Sequence, residues 1–211
     1  MNGVFHAGAG VMVGALALGG DATGAELVLC AVAGTSPDWD AALLVAGRPC
    51  YQNYHRSLTH GYAGLLISAT IAGGFLFLLG WNFWHAAWLW LLAALGHTVS
   101  DLFNRSGVAL TSPFGWERTR FPAVSWADGP LTLGVIVVAV WVSLVPEAGR
   151  LVSLVALAGY VAYIAWRRRD PKLSDPVSRW WFDMVHGRAR NSVPGDASLL
   201  RKSSENQGVN G

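Results

Sequence analysis

Apolar residues run almost unbroken through four stretches of the chain, 61–80, 82–100, 130–146 and 149–166, where the only Lys, Arg, Asp or Glu is Arg150 at the start of the last. A helix of about 20 residues crosses a bilayer, so this pattern predicts four long transmembrane helices, with His85 and His97 as polar exceptions. Two shorter apolar stretches, 4–19 and 25–34, precede them, separated by Gly20, Asp21 and Gly24. Rich in Gly and Ala, these suit close helix packing. They are marginal as full spans and read as two short membrane-embedded helices, a re-entrant or half-embedded pair. Arg167, Arg168 and Arg169 end the last span, and 178–185, with Trp180, Trp181 and Phe182, suits an interfacial position. From 187 to 211 the chain is Ser/Asn/Gly-rich and expected to be disordered. The expected fold is therefore all-α, a polytopic helical bundle over residues 1–186 with a cytoplasmic tail at 187–211.

Composition agrees with that reading. Charged residues make up 13% of the 211 and hydrophobic ones 53%, against about 25% charged in soluble domains. The formal charge of +2 gives no reason to expect nucleic acid as a partner, and Cys30 and Cys50 form no CxxC spacing. The distribution of charge says more. With the C-terminal tail inside, loops 35–60 and 101–129 are inside too, and fourteen of the fifteen Lys and Arg lie there, Arg150 alone lying outside. By the positive-inside rule both termini and both loops face the cytoplasm.

That topology sorts the ionisable residues. His55 and His60, in His55-Arg56-Ser57-Leu58-Thr59-His60, precede the first long span; His97 and Asp101 close the second; Asp38 and Asp40, in Ser36-Pro37-Asp38-Trp39-Asp40, follow the short second helix; and His6 begins the first. Six candidate ligands from separate parts of the chain (His6, Asp38, His55, His60, His97 and Asp101, with Asp40 beside them) would share one membrane depth. His97 and Asp101, four apart, lie on one helical face. Imidazole and carboxylate without thiolate suit zinc, manganese or iron. Asp38 and Asp40, two apart, cannot both point the same way, so Asp38 is expected to bind metal and Asp40 to act as base or to orient a histidine. Thr59 or Ser57 is expected to cap the following helix.

Plainer readings stand beside these. A single His or Asp at a membrane surface is commonly an interfacial polar residue, Asp38 suits a helix cap, and His97–Asp101 suits a hydrogen-bonded pair. Ionisable groups near hydrocarbon are costly and tend to be functional, which favours the joint site. Asp128, before the third long span, joins the catalytic site or caps the helix, and the sequence leaves the two equal. Arg56 and Arg105 suit a substrate phosphate or positive-inside anchoring. His85 reads as an aromatic-belt residue and His186 as solvated.

On these residues the chain resembles a family of bacterial inner-membrane metal-dependent hydrolases described as LexA-binding or LexA-regulated. The resemblance rests on His6, Pro37-Asp38-Trp39-Asp40, His55 through His60, Gly96-His97-Thr98-Val99-Ser100-Asp101, Gly107, Ser112-Pro113-Phe114 and Asp128, and covers roughly residues 1–145. Gly61 stands where a small hydroxyl residue is expected. A more distant likeness is to zinc-dependent phospholipase C and related nucleases, but further His/Glu ligands for a three-zinc site are missing, so the resemblance implies one or two metals. It implies a hydrolase acting on an ester, with a phosphoester of a lipid or lipid-linked molecule as the substrate class and the bilayer as partner. The alternatives are a metal-binding transporter and a non-catalytic structural or regulatory membrane protein. Transporters place ligands near the midplane, where no span here carries a charge.

Overall fold

The computed structural model describes residues 1–124 and 128–169, so the expectations at 178–185, at 187–211 and for His186 lie outside the described residues. The described residues are helical, with two isolated bridges in place of strands. Seven α-helices follow one another: α1 (Gly3–Leu18), α2 (Gly24–Thr35), α3 (Arg48–Tyr54), α4 (Tyr62–Leu78), α5 (Phe83–Asp101), α6 (Gly129–Leu144) and α7 (Gly149–Arg169).

The helices begin where the sequence supplies caps. Asn2, Asn82 and Asp128 accept a backbone N–H in the first turn of α1, α5 and α6, and Thr23 with Glu26 forms a capping box on α2. Neither Ser57 nor Thr59 caps α4; its N-cap is Gly61, and the two hydroxyls turn instead to the Tyr54 carbonyl and the Asp40 carboxylate. Gly61 also explains its own departure from the expected hydroxyl residue. A Cβ there would lie 2.7 Å from the Ser112 carbonyl oxygen, so no side chain fits.

The four long apolar stretches become α4 to α7 with ends shifted by at most three residues. Their lengths differ from expectation. Among the described residues three helices are long and apolar enough to cross a membrane, Gly3–Asp21, Gly24–Ala46 and Pro146–Arg169, while Tyr62–Leu78 and Gly129–Leu144 are shorter apolar helices. The N-terminal pair is thus longer than the sequence implies, because 3₁₀ turns continue both helices and carry the second through Ser36–Ala46.

That pair is also the centre of the bundle. Helix α1 packs against α2, α5, α6 and α7. Glycine makes this possible: a Cβ on Gly10 would lie 2.1 Å from the Cys30 carbonyl oxygen, and one on Gly34 would lie 2.4 Å from that of His6. The α1 and α2 backbones therefore touch directly. Outside this core, α4 exposes Leu66, Ile67, Ile71 and Phe75, α6 exposes Leu133, Val137 and Val140, and α7 exposes Leu151, Val155 and Val161. So wide an apolar surface needs an apolar surrounding.

The chain turns at the two ends of the bundle alternately. One end gathers the start of α1, the end of α2, the turn before α4, the end of α5 and the start of α6. The other gathers Gly19–Asp21, the α4–α5 turn and Pro146–Ala148.

Candidate metal centre

Four elements deliver side chains to the first of these ends. His97 and Asp101 come from the last turns of α5, Asp38 and Asp40 from the 3₁₀ segment after α2, His55 and His60 from the turn before α4, and His6 from the second turn of α1. The turn is strapped from outside by loop 102–124: Ala109 N–H donates to the Arg56 carbonyl, Tyr62 N–H to that of Leu110, and Arg118 Nη2 to that of His55. Arg56 itself sits at φ +62°, in the left-handed region that a non-glycine residue adopts at a cost.

The centre of the group is four atoms. Nε2 of His60 and Nε2 of His97 are 3.1 Å apart. Asp38 Oδ1 lies 3.5 Å from the first and 3.6 Å from the second, and Asp101 Oδ2 lies 3.8 Å from each. His60, His97 and Asp101 are buried, and Asp38 is 26% exposed, so the group opens to solvent on the Asp38 side.

Partner chemistry assigns the tautomers. His97 Nδ1 donates to the Gly34 carbonyl at 2.6 Å. Thr59 donates its hydroxyl proton to Asp40 Oδ2 at 3.1 Å and so accepts from His60 Nδ1 at 3.0 Å. Both rings then present a bare Nε2 lone pair, and these face each other with two carboxylate oxygens alongside. Burial holds the His60 imidazole below its ordinary titration range, with Asp38 offsetting this only in part. Asp38 Oδ1 and Asp101 Oδ2 are buried and make no hydrogen bond, although Arg56 Nη2 approaches Asp101 Oδ2 to 3.1 Å.

A divalent cation resolves all four groups at once. Ligand bonds of about 2.0–2.1 Å in a tetrahedron imply ligand separations of about 3.3–3.4 Å, close to those found. The donor set of two imidazoles and two carboxylates suits zinc, with manganese or iron also compatible. Each histidine is anchored through its other nitrogen, as metal-binding histidines commonly are.

The remaining sequence candidates take other positions. His6 is buried and stacks on the His97 ring at 3.5 Å between centroids, with Nε2 3.4 Å from Asp101 Oδ1, beside the four donors rather than among them. Asp40 has both oxygens engaged: Oδ1 accepts from His55 Nδ1 at 2.8 Å, and Oδ2 from Arg56 N–H at 3.2 Å and Thr59. His55, with its side chain 20% exposed, stacks on Tyr51 and keeps Nε2 free of that bond. Asp38, Asp40 and His55 also form a group with ligand spacing, so Asp38 stands between two such groups. Asp128 caps α6 through Leu131 N–H, accepts from the Tyr163 hydroxyl at 2.9 Å and lies 3.5 Å from Arg167 Nη2. Of its two sequence readings, these contacts match the cap. His85 pairs with Glu26 at 2.5 Å at the opposite end.

Sequence reasoning left Arg56 undecided between phosphate binding and anchoring. Its side chain is 3% exposed against Asp101, whereas Arg105 is exposed. The Thr59 relay from Asp40 to His60 was likewise not foreseen; the alternation of His, Thr and His was its only trace.

Comparison with known proteins places this geometry in a lineage. The family model described as YdjM inner membrane protein matches residues 1–170. The chain is also 28% identical over 199 residues to the uncharacterized protein YfhP of Bacillus subtilis (strain 168), a match covering 89% of this chain and 59% of that relative. The chain thus spans about three fifths of the length of that relative. No solved structure matches.

Proposed function

The chain belongs to the YdjM inner membrane protein family, the membrane-associated, LexA-regulated family, and we propose that it is a multi-pass, metal-dependent hydrolase whose site faces the cytoplasm. Asp38, His60, His97 and Asp101 hold one divalent ion, zinc by preference. The observation that carries this reading is the pair of opposed Nε2 lone pairs 3.1 Å apart, flanked by two buried carboxylate oxygens without hydrogen bonds.

When bound, such an ion supplies a Lewis acid and lowers the pKa of water toward neutrality. The protein supplies the proton chemistry. Asp40 fixes His55 with Nδ1 protonated, so Nε2 can take a proton from an attacking water while Asp40 stabilises the resulting imidazolium, as in other Asp–His pairs. Asp40 is then the orienting residue and His55 the base. Asp128 serves the helix rather than the reaction.

The surroundings favour a lipid or lipid-linked phosphoester. Around the site end Trp39, Val45, Phe114 and Trp116 are exposed, Val45 and Phe114 above 90%, and Arg105, Arg118 and Arg120 are exposed among them. Aromatic and basic groups together suit the level of anionic headgroups. A transporter is disfavoured because the ligands sit at one end of the bundle instead of midway along it.

The test is metal analysis of the detergent-purified protein, followed by a phosphoester and lipid screen with and without chelator. Near-stoichiometric zinc and chelator-sensitive turnover are expected; a metal-free protein, or hydrolysis indifferent to chelation, sinks the reading. With a substrate in hand, Asp40→Asn should retain metal and lose about a hundredfold or more in rate, because it disables the base His55, a group whose contribution is about 10²–10⁴-fold. Orientation is checked in a Cys50→Ser background: an impermeant thiol reagent outside intact cells should label Glu147→Cys and not Arg118→Cys.

A further inference from the structure

Arg56 is buried to 3% and reaches the metal group through one nitrogen only, Nη2 at 3.1 Å from Asp101 Oδ2. Its Nε and Nη1 are also buried and have no hydrogen-bond partner. A guanidinium presents its donors as a planar fork matched to two oxygens of one group, and a buried cation with two unmet donors calls for an acceptor that the described residues do not provide. The backbone is committed to this placement. Arg56 N–H is held by Asp40 and its carbonyl by Ala109, at a strained φ of +62°. Strain of this kind persists where surrounding structure enforces it, and commonly at ligand sites. Arg105, the alternative phosphate binder, is exposed and is explained by the surface.

We propose that Arg56 is the anion-binding residue of this site, offering its unmet Nη1–H to an oxygen of a phosphoryl group and orienting that group beside the metal ligands. This rests on the hydrolase reading and narrows its substrate class to phosphoesters as against neutral esters. Asp101 has two roles in the arrangement, ligand through Oδ2 and counter-charge that fixes the guanidinium. The shared chemistry is the phosphate group, whether free or in a lipid headgroup.

The experiment measures binding of inorganic phosphate to the zinc-loaded, detergent-purified full chain by titration calorimetry, and in parallel measures retention of the same protein on vesicles of phosphatidylcholine with and without phosphatidic acid. Two variants are compared with wild type, Arg56→Gln and Arg56→Lys, the second keeping a positive charge opposite Asp101. Zinc content of Arg56→Lys should be unchanged and its phosphate affinity at least tenfold weaker, with Arg56→Gln weaker still. A headgroup ligand would show as loss of the phosphatidic acid preference in the same variants, a free phosphate ligand as loss in calorimetry alone. Wild-type phosphate affinity and vesicle preference in both variants would overturn the proposal and leave water as the partner of the unmet donors. Loss of zinc in Arg56→Lys would overturn it differently, making Arg56 only the counter-charge of Asp101. A wild-type protein that binds no zinc refutes the hydrolase reading instead, and is recognised before any phosphate is added.

Discussion

The two ends of the bundle use the same residue types and arrive at different chemistry. At the end away from the site His85 meets Glu26, with side chains 40% and 14% exposed, and the carboxylate is also satisfied by the Thr23 backbone and hydroxyl. At the other end His60 and His97 meet Asp38 and Asp101 with both imidazoles fully buried, and Asp101 also meets the Met1 ammonium and Arg56. The first arrangement closes on itself as one surface pair, which contributes little to stability. The second packs two imidazole Nε2 atoms and two carboxylates into one buried group, a donor set that would suit a divalent cation. The difference lies in burial and in how many separate segments converge.

The sharpest break of this comparison is to remove one residue of each kind. His97→Ala or Asp101→Ala should weaken metal binding more than a hundredfold, because even outer partners of ligands cost about 10–100-fold. His85→Ala should leave metal content unchanged. Equal metal loss in all three, measured by elemental analysis, would mean the ends are not distinct. Stoichiometry sharpens the same point. One ion per chain fits the four-donor group alone, and two would make Asp38 a bridge to Asp40 and His55.

A smaller effect is expected from the glycine that places the site. Gly34 gives its carbonyl to His97 Nδ1 and its missing Cβ to the His6 carbonyl, 2.4 Å away. Gly34→Ala forces α1 from α2 and should cost about 1–3 kcal/mol, the usual range for overpacking, with weakened metal binding as His6 and His97 move. Gly24→Ala is the control at the opposite end, since nothing lies within 4 Å of its Cβ position. Equal thermal unfolding of the two variants would show that the close approach near Gly34 relaxes freely.

Much of this was legible in the sequence, for physical reasons that also mark the limit. Helices α4 to α7 were readable because uninterrupted apolar runs end at Gly, Asn, Pro or Arg, and the gathering of His55, His60, His97, Asp38 and Asp101 at one depth followed from where Lys and Arg lie. The central position of α1 was not readable, since small residues at Gly8, Gly10 and Gly14 describe close packing without naming its partners. Helix α3 and the 3₁₀ run at Ser36–Ala46 mix Pro, polar and apolar residues without a period, so they read as loop. The roles of Asp40 and Arg56 depend on which neighbours are already satisfied. That is fixed by contacts such as Ala109 N–H to the Arg56 carbonyl, across 53 positions, where periodicity carries no signal.

On metal binding the smallest effects are expected from the caps, one at each end. Thr23 is an exposed N-cap on α2, its hydroxyl accepting from Glu26 N–H at 3.3 Å, and Thr23→Ala should cost about 1 kcal/mol. Asp128 caps α6 at the site end, but its side chain is 1% exposed and also meets Tyr163 and Arg167. Removing it strands a buried guanidinium, so Asp128→Ala should cost about 3 kcal/mol, in the range for breaking buried pairs. Asp128→Asn retains a good cap and loses the charge, and should fall between the two. None of the three should change metal affinity, because the donor group draws nothing from either cap. A variant at Asp128 that loses metal while unfolding at the wild-type temperature would return this residue to the site its place in the sequence allows; unfolding shifts that rank with burial, at constant metal affinity, would keep it in the helix end.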